Sequence, residues 1–155
     1  PVDFAARSET LSTDGSILEL AKNWRDGAVK QALIRTILQV RKSHPALFAD
    51  GAYCPLHVEG AKADHLIAFA RRNGDDALIV LAARLPLRIL GEELSIPTSA
   101  WGDTRVSLPT DLSGRLLGNL LSPTPIPKRI DQTSVAHLLD GFPLAVFMQT
   151  SAAAN

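Results

Sequence analysis

One cysteine, Cys54, occurs in 155 residues, which excludes an internal disulfide and any cysteine-based zinc site. Cys54 falls in a strand-like run, Tyr53 to Val58, where it reads as a small buried hydrophobe rather than a nucleophile. Aromatic residues are scarce, at 5%, with two tryptophans. Neither charge sign dominates: 16 Lys and Arg face 16 Asp and Glu, for a formal net charge of zero. With no basic run, there is no electrostatic reason to expect nucleic acid or an anionic membrane as partner. No apolar stretch approaches the length of a membrane span, and no secretory signal pattern is visible. A reducing, cytoplasmic location is the expectation.

Chemical motifs are equally scarce. The four histidines, His44, His57, His65 and His137, lack a spacing that would bring two imidazoles onto one metal, and read as satisfied structural residues. The pairs Asp75-Asp76 and Glu92-Glu93 are adjacent, so in extended structure their carboxylates point apart, whereas glycosidase chemistry needs two carboxyls facing each other across a sugar. Ser113-Gly114 and Gly74 match no phosphate loop, and no GxSxG elbow is present.

What the chain does contain is apolar material with clear periodicity. Hydrophobic residues make up 46%, and a chain of this size forms one domain, or a domain with an appendage, burying roughly 70% of its unfolded surface. From Asn23 to Tyr53 the residues Ala28, Val29, Ala32, Leu33, Ile37 and Val40 repeat at helical spacing, and Asp26 sits where an N-cap belongs. Lys30, Arg35, Arg41 and Lys42 lie off that stripe, the last two where cations favour the helix dipole. Pro45 biases His44 away from helical angles, so the helix is expected to stop there and give way to a strand. Upstream, Ile17, Leu18 and Ala21 form a short apolar face, with Thr13 or Asp14 as caps.

After Pro45 the pattern changes to short β segments. Leu66 to Ala70 and Ala77 to Ala83 flank Asn73-Gly74, which predicts a hairpin with a type I′ turn. Val135 to Leu139 and Leu144 to Met148 flank Asp140-Gly141 and read as a second hairpin, with Pro143 at the start of its strand or on an edge. Thr104 to Leu108 and Arg115 to Leu121 are further strands, and Ser122 to Pro127 is a loop or extended edge. Six to eight short strands close most economically as an antiparallel sandwich.

The opening PVDFAAR (1–7), the helix and the PALFADG that follows it (45–51), ADHLIAFARRNGDDALIVLAARLP (63–86), WGDTRVSLP (101–109) and FPLAVF (142–147) resemble, in order, the C-terminal part of maltooligosyltrehalose synthases, a branch of the alpha-amylase superfamily. The resemblance implies a (β/α)8 barrel carrying an aspartate nucleophile, a glutamate acid/base and a second aspartate, all upstream of the matched region. At 155 residues the chain is too short for a barrel of about 250, and it begins at Pro1. It therefore reads as an inactive fragment. Residues 1–50 are expected to be a helical segment from the end of the parent barrel, 51–151 a β-sandwich C-terminal domain, and 152–155 a frayed tail. The resemblance places Asp3 and Arg7 near the barrel's active-site face, as substrate contacts in the intact enzyme or as a salt bridge at its rim. It implies no catalytic residue in this chain, no metal and no cofactor.

The implied substrate is a maltooligosaccharide, bound through the missing barrel. Its reducing-end α-1,4 bond would be isomerised to an α,α-1,1 (trehalose) bond by intramolecular transglucosylation. The helix face left without its barrel must find the sandwich, a second copy or water, and self-association through it, or a mobile segment before Asn23, is expected. The alternative reading is a non-catalytic α-glucan-binding β-sandwich module, for which flat aromatics would be the marker. Trp24, beside a helix start, and Trp101, in WGDTR, both read as packing residues before glucan platforms.

Overall fold

A computed structural model describes residues 4, 5, 8, 15–86, 94–109, 112, 118–122 and 132–149 of the protein. A short helix, α1 (Ile17–Ala21), is followed by a 3-10 turn at Trp24–Asp26, the long helix α2 (Ala28–Ser43) and a further helical turn, α3 (Pro45–Ala49). The strands are β1 (Ala52–Pro55), β2 (Val58–Glu59), β3 (Leu66–Asn73), β4 (Asp76–Ala83), β5 (Arg105–Ser107), β6 (Gly118–Asn119), β7 (Gln132–Ser134) and β8 (Leu144–Gln149), with α4 (Val135–Leu139) before the last. They form two antiparallel sheets, ordered β1-β3-β4-β8-β6 and β2-β5-β7. The expected fold class is present: a helical segment followed by an antiparallel β-sandwich.

Strand β4 explains the layering. Its alternate residues Ala77, Ile79 and Leu81 enter a core shared with Val106 and Trp101 on the side of the smaller sheet. Leu78 and Val80 enter a second core with Ile17, Ala21, Val29 and Leu47. In β8, Ala145 and Phe147 face the first core while Val146 and Met148 face the second. Both faces are covered, so the strand reads as a continuous apolar run. The apolar stripe of α2 thus finds the sandwich: Ala32, Leu33, Ile37 and Val40 pack into the same cluster as Leu78 and Val146. Ile34 and Leu38, on the opposite side of the helix, stay exposed.

Local geometry corrects several expectations. The N-cap position of α2 is Gly27, in the left-handed region at φ 82°, and Asp26 caps from one residue earlier, accepting from the Ala28 amide at 2.7 Å. Helix α1 is capped by Ser16, whose hydroxyl accepts from the Glu19 amide while the Glu19 carboxylate accepts from the Ser16 amide, both at 3.2 Å. Thr13 and Asp14 lie outside the described residues. Helix α2 ends at Ser43 as expected, with His44 at φ −128°. No strand follows directly, because Pro45 starts a new helical turn at a position where no amide is needed. The run Tyr53 to Val58 is split between the two sheets.

The β3–β4 hairpin is present, with Asn73 paired to Asp76. Its central residues are therefore Gly74 and Asp75, and only Gly74 takes a positive φ, 58°. That is the signature of type II′ rather than type I′. The second expected hairpin is absent: Val135–Leu139 is helical, with Val135, Leu138 and Leu139 buried at i, i+3 and i+4. Asp140 (φ 46°) and Gly141 (φ 83°) end that helix instead of turning a hairpin. Pro143 does directly precede β8, and its carbonyl accepts from the Ala83 amide at 2.8 Å. Of the strand expected over 115–121, residues 118–121 are described: Gly118–Asn119 form β6, while Leu120 and Leu121 already turn away from it; Pro123 to Pro127 and the tail lie outside the described residues.

Arg71 ties the helical layer to the sheet. From β3 its Nε donates to the carbonyl of Leu47 at 3.2 Å, and its Nη2 donates to those of Phe48 and Gly51 at 3.0 and 2.9 Å. These carbonyls, at and just beyond the end of α3, have no partner within the helix. Gly51 is required beside them, since a Cβ there would collide with the carbonyl oxygen of Leu47. Arg71→Met is expected to lower unfolding stability by about 1.5–3 kcal/mol, because it removes charged donors and strands their acceptors. Gly51→Ala is expected to destabilise as well. Urea unfolding followed by circular dichroism checks both, and an unchanged midpoint for either variant would contradict the role assigned to that residue.

Candidate functional site

The titratable side chains that are described do not converge. Among the described residues, no group of three or more His, Cys, Asp or Glu comes close enough to hold a metal. His44 Nδ1 lies 3.3 Å from Asp76 Oδ2, joining the end of α2 to the hairpin. His57 Nε2 lies 3.9 Å from Glu59 Oε2 at an exposed position, and His137 is exposed on α4. The expectation of satisfied histidines fails at His65, whose Nδ1 is buried without a hydrogen-bond partner. Asp75 and Asp76 occupy the β3–β4 turn rather than facing each other across a cleft. Cys54 is half-buried on β1 and packs against the first core. Asp3, Arg7, Glu92, Glu93, Ser113 and Gly114 lie outside the described residues.

The two tryptophans have opposite environments. Trp101 is 1% exposed and sits in the first core, with its indole Nε1 buried and unpartnered. The loop after it grips the turn that follows β2. Asp103 Oδ1 accepts from the Ala61 amide at 3.0 Å and Thr104 Oγ1 from the Lys62 amide at 3.0 Å. Gly60 permits that approach: its φ is +106°, and a Cβ there would stand 2.7 Å from Thr104 Cα. WGDT is therefore a structural lock.

Trp24 is the less buried of the two. It is 38% exposed and belongs to neither core cluster. The Arg25 guanidinium lies over its ring, 4.7 Å from the centroid, a cation–π arrangement that fixes both side chains. Its backbone is held by hydrogen bonds from the Asp26 amide to the Asn23 carbonyl, 3.0 Å, and from the Gly27 amide to the Trp24 carbonyl, 3.3 Å. Lys22, Asn23, Trp24, Arg25 and Asp26 line an open depression of about 350 Å³. Two further depressions exist among the described residues. One of about 390 Å³ lies along the outer face of α2 beside Ile34 and Leu38, and one of about 250 Å³ lies between α1 and the Asp140–Phe142 corner.

No protein-family model matches the chain. Over 110 residues, 66% of its length, the chain is 35% identical to a protein of Mycobacterium tuberculosis (strain CDC 1551 / Oshkosh) described as "Putative maltooligosyl trehalose synthase". The same identity and coverage hold for the protein of that description in Mycobacterium tuberculosis (strain ATCC 25618 / H37Rv). The matched stretch is 12% of each relative. The chain is thus similar to a short part of much longer polypeptides, in agreement with the resemblance carried by its own segments.

Proposed function

We propose that this chain is a non-catalytic, C-terminal part of an enzyme resembling maltooligosyltrehalose synthase, and that its contribution is structural. The observation that carries the proposal is the 35% identity over 110 residues to relatives of that description. Two features of the chain support a structural role. Its described carboxylates do not converge, and its cores are closed on both faces of the larger sheet.

In this reading the parent enzyme breaks the reducing-end α-1,4 bond of a maltooligosaccharide with an aspartate nucleophile outside this chain. The covalent glycosyl-enzyme is then attacked by the anomeric hydroxyl of the freed glucose rather than by water. Net retention follows, and the product ends in an α,α-1,1-linked trehalose unit. That outcome requires a pocket that retains glucose and excludes solvent. The fragment would help hold such a pocket rigid by buttressing the catalytic barrel. The chemistry calls for neither metal nor organic cofactor, and a cytoplasmic location belongs to the same proposal.

Self-association through α2 is a second reading, supported by Ile34 at 52% and Leu38 at 54% exposure on its outer side. Two measurements test these readings. With maltopentaose, the longer parent is expected to remove reducing ends while this chain alone leaves them unchanged; conversion by the chain alone would overturn the non-catalytic role. In sedimentation, self-association predicts a mass that rises with concentration, and a monomer throughout would remove that reading.

A further inference from the structure

We infer that Asn73-Gly74, at the tip of the β3–β4 hairpin, is a site of spontaneous modification, where the asparagine deamidates through a cyclic imide at a rate set by the contact between His44 and the hairpin. Of the four asparagines, Asn73 is the one followed by glycine; Asn23 precedes Trp24, Asn119 precedes Leu120 and Asn155 is the last residue. The reaction needs a side-chain carboxamide beside a main-chain nitrogen that no Cβ shields. The Gly74 nitrogen attacks Cγ of Asn73: an N–Cγ bond forms, the Gly74 amide proton passes to water, and the Cγ–Nδ2 bond breaks as ammonia leaves with a proton taken from water. Water then opens the imide. Cleavage of the new N–Cγ bond leaves an aspartate at this position. Cleavage of the original bond between the Asn73 carbonyl carbon and the Gly74 nitrogen leaves an isoaspartate, whose main chain runs through Cβ. Nothing is oxidised or reduced, and water is the only co-reactant.

The turn gives this reaction room and the ladder restrains it. Asn73 and Gly74 are both exposed, so water reaches the imide. No neighbouring atom stands within 4 Å of where a Cβ on Gly74 would lie, which leaves space for the ring to close. Among the described residues the Asn73 carboxamide has no hydrogen-bond partner, whereas Asn119 Oδ1 accepts from the Leu121 amide at 3.0 Å. Asn73 pairs with Asp76, and extended backbone holds the following nitrogen away from the side-chain carbon. Ring closure therefore waits for this last pair to open. A pair at the end of a ladder opens at lower free energy than those inside it, but this one is braced from outside the hairpin. His44 Nδ1 lies 3.3 Å from Asp76 Oδ2, and Gln149 Nε2 donates to the Asp75 carbonyl at 3.4 Å. The product acts back on the same contacts. An aspartate at 73 adds a carboxylate beside Asp75 and Asp76, and an isoaspartate adds a methylene to the main chain, which breaks the register of the Asn73–Asp76 pair. Either change loosens the end of the hairpin to which α2 is fastened.

The 155-residue chain is incubated at mildly alkaline pH and sampled over time. Peptide mass spectrometry reads the replacement of NH2 by OH, and an isoaspartyl methyltransferase assay reads the isoaspartate. Modification is expected at Asn73 ahead of Asn23 and Asn119, with isoaspartate among the products, and faster in a urea-unfolded chain, where no pair has to open. Asn73→Gln, which must close a larger ring, should abolish methyl acceptance. His44→Ala should speed conversion by about two- to fivefold, the effect of losing a partly exposed contact of this kind. Asp76→Thr, with a good strand former in place, removes the same contact and should act alike. The inference is overturned if Asn23 or Asn119 reacts before Asn73, if Asn73 in the folded chain stays intact while the unfolded chain converts, or if neither His44→Ala nor Asp76→Thr reacts faster than wild type.

Discussion

The guanidinium of Arg71, holding the carbonyls of Leu47, Phe48 and Gly51, is the contact on which the arrangement of helices over the sheet depends. A five-residue helix such as α3 is too short to persist alone, and its last carbonyls face no intrahelical donor. Arg71 satisfies them from the neighbouring layer with charged donors. Leu47, 1% exposed, is thereby pressed into the second core, and α2 follows, because only His44 separates its end at Ser43 from Pro45. The His44–Asp76 contact fastens the same end of α2 to the β3–β4 hairpin. Val29, Leu33, Ile37 and Val40 then lie over Leu78 and Val146.

This geometry gives α2 a partner that its pattern alone did not name. The spacing of its apolar residues states that one face is buried but not by what, and a sheet face and a barrel wall make the same demand. The β4 run was legible as a strand, while its burial on both faces became evident only from the position of the helices. The Val135–Leu139 segment reads as a strand in sequence because five residues fit either period, and Asp-Gly serves equally to close a hairpin or to end a helix. Gly74 shows the same limit at finer scale: Asn-Gly located the turn, yet the Asn73–Asp76 pairing set its type. Ser16 and Glu19 carried a readable capping box, masked by the competing caps just upstream.

The chemistry was legible mainly through what is scarce. The histidines are scattered and the carboxylate pairs adjacent, so no spacing in the sequence pointed to a shared site. The tryptophans look alike in sequence and the structure divides them. Trp101, the first residue of WGDT, lies among apolar neighbours beside the point where Gly60 lets two loops meet, whereas Trp24 lies among polar residues on a turn that belongs to neither core. Sequence spacing tells where a helix begins, but not whether a ring beside its start folds under the helix or faces water.

The central claim, that the helical layer and the larger sheet stabilise each other through the Arg71 contact, is tested most directly by native-state hydrogen exchange. In the wild type, interior amides of α2 should exchange with the same opening free energy as those of β4, since both sit on one core. In Arg71→Met, α2 should open at a lower free energy than β4. If α2 already exchanges independently of β4 in the wild type, the helix is an appendage resting on the sandwich, and Arg71 does not couple the two layers.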